Sequence, residues 1–243
     1  MLSIYFKELR SFFSSIVGYV VLLVFLIACG YFLFLNPDTD ILLYGYASLE
    51  QFFFIAPWLF LFLIPAITMR TFADEFRGGT IEWLSTKPLT SSQIVLGKFF
   101  ASLTLVAIAL LPTLIYIFSI HYLAMDDAAL DAGGIIGSYI GLLFLAAAFT
   151  AIGIFSSALT DNQIVSFLAA IFLCFLLYFG FEALSRIAAF RGGADYYLGL
   201  IGLDYHYNSM NRGVIDSRDV IYFLSIIILF IALTHFTLAR KKA

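Results

Sequence analysis

Uncharged apolar runs set the organisation of this chain. They occupy 16–35, 52–69, 99–120, 135–158, 164–181 and 220–239. Each approaches the roughly 20 residues that an α-helix needs to cross the hydrocarbon of a bilayer. None alternates apolar and polar positions with the period of two that a transmembrane barrel requires. The pattern predicts six transmembrane helices in one membrane domain covering 1–243. Ahead of the first, Leu2, Tyr5, Phe6, Leu9, Phe12, Phe13 and Ile16 recur at helical spacing, opposite Ser3, Lys7, Arg10 and Ser14. That arrangement predicts a separate amphipathic helix over 1–15, lying in the headgroup plane. Lys7, Arg10, Phe12 and Phe13 are its expected membrane-interface residues.

Composition points the same way. Of 243 residues, 63% are hydrophobic and 12% charged, against about 45–50% and about 25% in an ordinary soluble domain. A soluble globular protein is excluded. The 13 basic and 16 acidic residues leave a net charge of −3, which does not suit a nucleic-acid surface. Basic residues orient the spans, because cytoplasmic loops carry the excess of Lys and Arg. With the N-terminus inside, the cytoplasmic segments hold Lys7, Arg10, Arg70, Arg77, Lys87, Lys98, Arg240, Lys241 and Lys242. The outer segments 36–51 and 121–134 hold Asp38, Asp40, Glu50, Asp126, Asp127 and Asp131, with no Lys or Arg. The third outer segment, 182–219, holds Arg186, Arg191, Arg212 and Arg218, but charge in a longer loop carries less topological weight. Both termini are expected on the cytoplasmic side.

Several chemistries are missing. The sole Gly-Lys pair, Gly97-Lys98, is followed by Phe99 and has Ser92 in place of the first glycine of a phosphate-binding loop. The chain is therefore not expected to hydrolyse ATP by that route. His121, His206 and His235 are scattered, with no zinc-protease spacing, and neither a catalytic residue nor a metal site is predicted. No carboxylate or cation falls mid-span, where ion-coupled transport needs one. Glu182 and Arg186 have the i,i+4 spacing of a helix pair at the outer end of the fifth span, a possible external-loop ion pair. Leu26-Ile27-Ala28-Cys29 is similar to a lipoprotein signal box, but apolar residues follow it and an uncleaved span is predicted. Cys29 and Cys174 read as small core residues. Pro57, Pro65 and Pro112 are expected to kink their helices. Gly133, Gly137 and Gly141, Ala147 and Ala151, and Gly153 and Ser157 form small faces that permit close helix approach. Their partner is either within this chain or on another subunit. Phe52-Phe53-Phe54 is one candidate surface for a paired core.

The densest charge lies in the cytoplasmic loop 70–98. Gly78-Gly79 should break one helix and Thr80 cap a short second one, with Ile81, Trp83 and Leu84 as its apolar contacts. Pro88 should end it, and Thr90-Ser-Ser-Gln93 is a capping box opening the next span. A short crosswise helix of this kind suits force-transmitting contact with a soluble partner.

Glu75-x-x-x-Gly79-Thr80-Ile81-Glu82-x-Leu84-x-x-x-Pro88-Leu89-Thr90, with Ile94-Val95-x-Gly97-Lys98, resembles the signature loop of ABC-2 type transporter permeases. The likeness extends to Lys7-Glu8-Leu9-Arg10-x-Phe12-Phe13 and to Asn208-Ser209-Met210-x-Arg212-Gly213-Val214-Ile215-Asp216. Together they resemble the gliding-motility-associated permeases, a subfamily close to permeases for copper-enzyme maturation. The resemblance implies an all-α, type V exporter-like permease with an interfacial N-terminal helix, six transmembrane helices and both termini cytoplasmic. It implies that Glu75, Gly79, Thr80, Ile81, Glu82, Leu84 and Pro88 couple the chain to a separate ABC ATP-binding subunit. ATP and Mg would sit on that subunit, with no cofactor bound by this chain. It further implies a second permease or membrane subunit with a large external domain (GldG-like), a lipid bilayer, no nucleic acid, and a bacterial inner-membrane location. The expected function is coupling ATP hydrolysis to substrate export or conformational work. The alternative is a non-transporting scaffold or mechanotransmission subunit, and a secondary transporter ranks third. The apolar patch 198–203 in the outer loop fits either a re-entrant dip or a packed cap.

Overall fold

The computed structural model describes residues 1–37, 48–80, 90–123, 131–187 and 193–242, and all regular structure among them is helical. The amphipathic stretch forms α1 (Leu2–Phe13), separated by Ser14 and Ser15 from the first span, α2 (Ile16–Phe34). The second span is α3 (Glu50–Thr68), which breaks at Met69 and continues as α4 (Arg70–Arg77). The third is α5 (Ser91–Leu110), a 3-10 turn at Leu111–Leu114, and α6 (Ile115–Leu123). The fourth is α7 (Ala132–Leu159). The fifth is α8 (Gln163–Phe175), which passes through a π turn at Leu176–Gly180 into α9 (Phe181–Ser185). Two short helices, α10 (Ala194–Ile201) and α11 (Leu203–Met210), precede the sixth span, α12 (Ser217–Lys242). Six helical segments are long and apolar enough to cross a membrane, as the charge-free runs predict.

The boundaries differ most around the second and third spans. The segment 70–98 is not one loop: α4 occupies its first third, and α5 begins at Ser91 rather than at residue 99. The predicted capping box is what starts α5, with Gln93 N donating to Thr90 Oγ1 and Thr90 N donating to the Gln93 side chain. Of the three prolines, Pro112 marks the 3-10 turn, where its missing N–H costs no helical bond. Pro57 and Pro65 are buried within the continuous α3.

The bundle is built around α7. Its most apolar window is 78% buried, against 22% for the windows of α2, of α8–α9 and of α12. The small residues explain its position, because a helix surrounded on all sides needs backbones to approach it closely. A Cβ on Gly137 would lie 2.8 Å from Gly213 Cα, and one on Gly141 would lie 3.1 Å from Met210 Cβ. A Cβ on Gly153 would sit 2.1 Å from Thr68 Oγ1 of α3. The partners of these faces are therefore within the chain. Phe52 and Phe53 are likewise buried internally, so of that triplet Phe54 alone remains an outward surface.

The described residues of 182–219 pack onto the end of the bundle. Tyr207 of α11 is buried against α7 and donates to Phe53 O at 2.7 Å. His206 Nε2 donates to Leu200 O at 3.0 Å, and Nδ1 lies 2.6 Å from Asp219 Oδ1 at the head of α12. The Tyr222 ring stacks on the imidazole at 3.8 Å. These contacts fix α10 and α11 onto the start of the last span, on the face opposite the chain termini.

Gly153→Ala should destabilise the fold by about 1–3 kcal/mol, the usual range for overpacking a filled interior. Adding Thr68→Ala removes the atom at 2.1 Å and should recover part of that loss. Gly30 has no atom within 4 Å of a built Cβ, and Gly30→Ala should leave stability unchanged or slightly raised. Chemical unfolding of the full chain in detergent measures all three; additive losses from Gly153→Ala and Thr68→Ala would contradict the contact.

Candidate functional site

On the face carrying both termini, α4 collects contacts from most of the bundle. The helix is interrupted at Met69, and N–H groups of α4's first turn look to another element for an acceptor. Ser157 of α7 satisfies them: its Oγ accepts from Phe72 N at 3.0 Å and Ala73 N at 3.1 Å, and donates to Met69 O at 3.0 Å. Gln163 Nε2, at the head of α8, donates to Asp74 Oδ1. The Lys241 ammonium of α12 lies 3.9 Å from the Phe76 ring centroid, within cation–π range.

The strongest link runs through Lys98 of α5, whose side chain is 0% exposed. Its Nζ donates to Glu8 Oε1 of α1 at 2.7 Å and to Thr71 O, and lies 3.0 Å from Glu75 Oε1 of α4. Two hydrogen bonds and one close counter-charge thus surround the ammonium. The Phe72 ring covers it at 4.9 Å. Lys7, half-exposed on α1, donates to Glu75 Oε1 at 2.8 Å. Burial pulls Lys7 down, but the Glu75 hydrogen bond and the charges of Glu75 and Glu8 outweigh it and hold the ammonium above its ordinary value. A raised lysine contributes its stabilisation in full below its ordinary pKa and loses it as pH rises through the higher folded value. Across neutral pH, Lys7 therefore remains a working member of the cluster.

Glu75 thus lies inside, engaged by two lysines of its own chain, and is not displayed for basic groups of a partner. Gly79, at φ +65, ends the helical segment as the Gly78-Gly79 pair predicts, and it and Thr80 are exposed. Thr80 Oγ1 donates back to Glu75 O at 3.4 Å. Ile81, Glu82, Trp83, Leu84 and Pro88 lie outside the described residues. At the interface helix, Arg10 is exposed and Phe12 and Phe13 pack on the core. Ile4, absent from the apolar pattern, is α1's buried contact, 3.1 Å from a Cβ built on Gly97.

Glu182 and Arg186 do form their ion pair, at the opposite end of the bundle where α9 ends. Beside it, burial pushes the Asp204 carboxyl up, and the Glu182 charge adds to the shift, while a hydrogen bond from Tyr178 opposes it. Sequence reasoning missed Lys98, Ser157 and the His206–Asp219 pair. It also expected no buried ionisable groups, and the structure buries these, though at the two ends of the bundle. Lys98 was readable as a cation inside Ile94-Val95-Leu96-Gly97-Lys98-Phe99-Phe100, an apolar stretch that extends helically past it on both sides.

Lys98→Met removes the shared cation and leaves Glu8 and Glu75 with Lys7 alone. It should destabilise the chain by ~3–5 kcal/mol, as breaking a buried ion pair does. Lys7→Met, at a half-exposed position, should lose about 1 kcal/mol or less. Unfolding of both variants in detergent tests the ranking, and a reversed order would remove Lys98 from the centre of the cluster.

A family model for the ABC-2 family transporter protein matches residues 40–194, more than half of the chain. That span contains α3 through α9, including Glu75 and Lys98. It excludes the whole of α1 and α2 and the segment 208–216, and the gliding-motility likeness rests on 7–13 and 208–216. Among individual curated proteins, none matches the chain. The match covers more than half of a chain whose described residues form six membrane-length helices, and the chain belongs to the ABC-2 transporter family.

Proposed function

We propose that this permease subunit couples ATP hydrolysis on a separate ABC subunit to movement of its six-helix bundle, through the segment that leaves α4 at Gly79. The observation that carries the reading is the set of contacts made by α4. It is joined to α1 and α5 by the Lys7–Glu75–Lys98–Glu8 cluster, to α7 by Ser157, to α8 by Gln163 and to α12 by Lys241. A push at its exposed C-terminal end reaches five helices without crossing a flexible joint. Family membership supports an ATP-binding subunit and a lipid bilayer as partners. On this reading ATP and Mg belong to that subunit, the termini face the cytoplasm, and the membrane is the bacterial inner membrane. Glu82, Leu84 and Pro88 then belong to the docking segment, with Glu75 behind it.

The gliding-motility assignment and a GldG-like second subunit rest on the terminal motifs, 7–13 and 208–216. A mechanotransmission role without solute transport fits the same platform, because the cluster transmits displacement whatever the bundle moves. ATP-driven flux in liposomes separates the two.

Gly79 provides the test. Its φ of +65 is a left-handed conformation, and nothing lies within 4 Å of a built Cβ, so a side chain there strains the backbone without disturbing the core. Gly79→Val should redirect the chain beyond α4 and abolish permease-stimulated ATP turnover, with insertion and expression unchanged. Gly79→Asn, which tolerates that conformation, should retain most of it. Asp126→Ala, in an outer segment, should leave it intact. Turnover by the assembled complex at matched expression decides the matter: a Val variant as active as wild type, or equal loss in Val and Asn, would contradict coupling through this turn.

A further inference from the structure

A cavity of about 220 Å³ lies beside the charged cluster, where α1, the head of α2 and the α3–α4 elbow meet. It is smaller than the roughly 300–1,000 Å³ of a site for a drug-sized solute, and larger than the ~30 Å³ share of one water. Two of the residues that line it each carry a buried polar atom unmet among the described residues, one an acceptor and one a donor. Glu75 is 7% exposed, and while its Oε1 is bound by Lys7 and Lys98, its Oε2 is buried without a partner. Arg70, on the same cavity, has a buried Nε without a partner, and its Nη1 reaches only Ser15 Oγ, at 3.5 Å. Among the described residues no carboxylate pairs with this guanidinium, although Glu8, Asp74 and Glu75 line the same space. Leaving such groups unsatisfied costs about 1–3 kcal/mol each, and more for charged ones.

We propose that this cavity binds the headgroup of a phospholipid carrying a primary ammonium, of the ethanolamine type. The two unmet groups define that ligand. Arg70 is a planar donor array suited to a phosphate, with Ser15 beside it. Glu75 Oε2 is an acceptor that needs an N–H donor. A primary ammonium supplies a charged one, whereas a quaternary ammonium has none to give, and a glycerol hydroxyl offers only a weaker neutral donor. The exit also fits a lipid. Val17 and Val21 of α2 line the cavity, and Val17, Val20 and Val24 form an outward ridge 41%, 50% and 60% exposed, along which acyl chains can lie. The site sits at the end of the second span beside the amphipathic α1, the depth of the headgroup layer. A bound lipid bridges α1 and α2 to the α4 platform.

The test is native mass spectrometry of the full-length chain in detergent. It is titrated with phosphatidylethanolamine, phosphatidylcholine and phosphatidylglycerol of matched acyl chains. The first bound phosphatidylethanolamine should be retained about tenfold more strongly than either other lipid, the scale of one hydrogen bond to a charged group. Arg70→Gln, which removes no ion pair seen in the structure, should weaken retention of all three lipids about tenfold while the unfolding temperature in lipid-free detergent stays unchanged. Glu75→Gln should bring phosphatidylethanolamine down to the level of phosphatidylcholine. Equal retention of the three lipids by the wild-type chain, or an Arg70→Gln variant that retains them undiminished, would overturn the proposal. Displacement of the bound lipid by millimolar glycerophosphoethanolamine or inorganic phosphate would assign the cavity to a soluble phosphate compound instead.

Discussion

The arrangement of this protein depends on how a single buried amine-bearing side chain, that of Lys98, finds its partners inside a bundle of apolar helices. Withdrawing an ammonium ion from water costs several kcal/mol, which only close counter-charges and a full set of hydrogen-bond acceptors offset. Those acceptors come from α1 and α4, so the lysine of α5 dictates where both must lie. A helix with one polar and one apolar face has many resting positions on a membrane surface. Here Glu8 reduces them to one, and Ile4 against Gly97 fixes its depth. The same cluster holds α4 at an angle its own short length does not sustain, since eight residues are too few for an independent helix.

The second organising element is α7, which touches both ends of the molecule. At one end Ser157 ties the elbow between α3 and α4. At the other, Gly137 and Gly141 admit Gly213 and Met210, and Ser138 Oγ donates to Asn211. Small residues serve opposite purposes along one helix. The glycines remove bulk so that backbone meets backbone, and the serine supplies a hydroxyl where backbone polar groups are left open. Because the interior is close-packed, α7 is one continuous connection between α4 and α11.

Much of this was legible in the sequence, and the reasons for success and failure are physical. The spans were readable because a bilayer excludes charge over a fixed thickness, so the absence of Lys, Arg, Asp and Glu marks them directly. Thr90 and Gln93, and the break at Gly78-Gly79, were readable because capping and left-handed turns are local, decided within four residues. The partners of Lys98 were not, because they lie 90 and 23 positions earlier in the chain, at Glu8 and Glu75. The glycine stripe announced close packing but not its partner. The same holds for His206 and Asp219, which are ordinary polar residues of an outer segment until α11 folds back on α12.

The order of the residues in the Lys98 cluster has a consequence for biogenesis. Glu8 and Glu75 leave the ribosome before Lys98, and neither carboxylate has its full complement of cations until the third span arrives. Until then α1 has no anchor beyond the bilayer surface and Lys7, and α4 has no reason to hold its angle. The nascent chain therefore carries two loosely held segments through the insertion of its first two spans. The entry of α5 brings the cation that both lack, and α4 gains its ties to Ser157, Gln163 and Lys241 only as the later spans follow. Chains that stop short of residue 98 keep two acidic groups at the membrane edge without that cation.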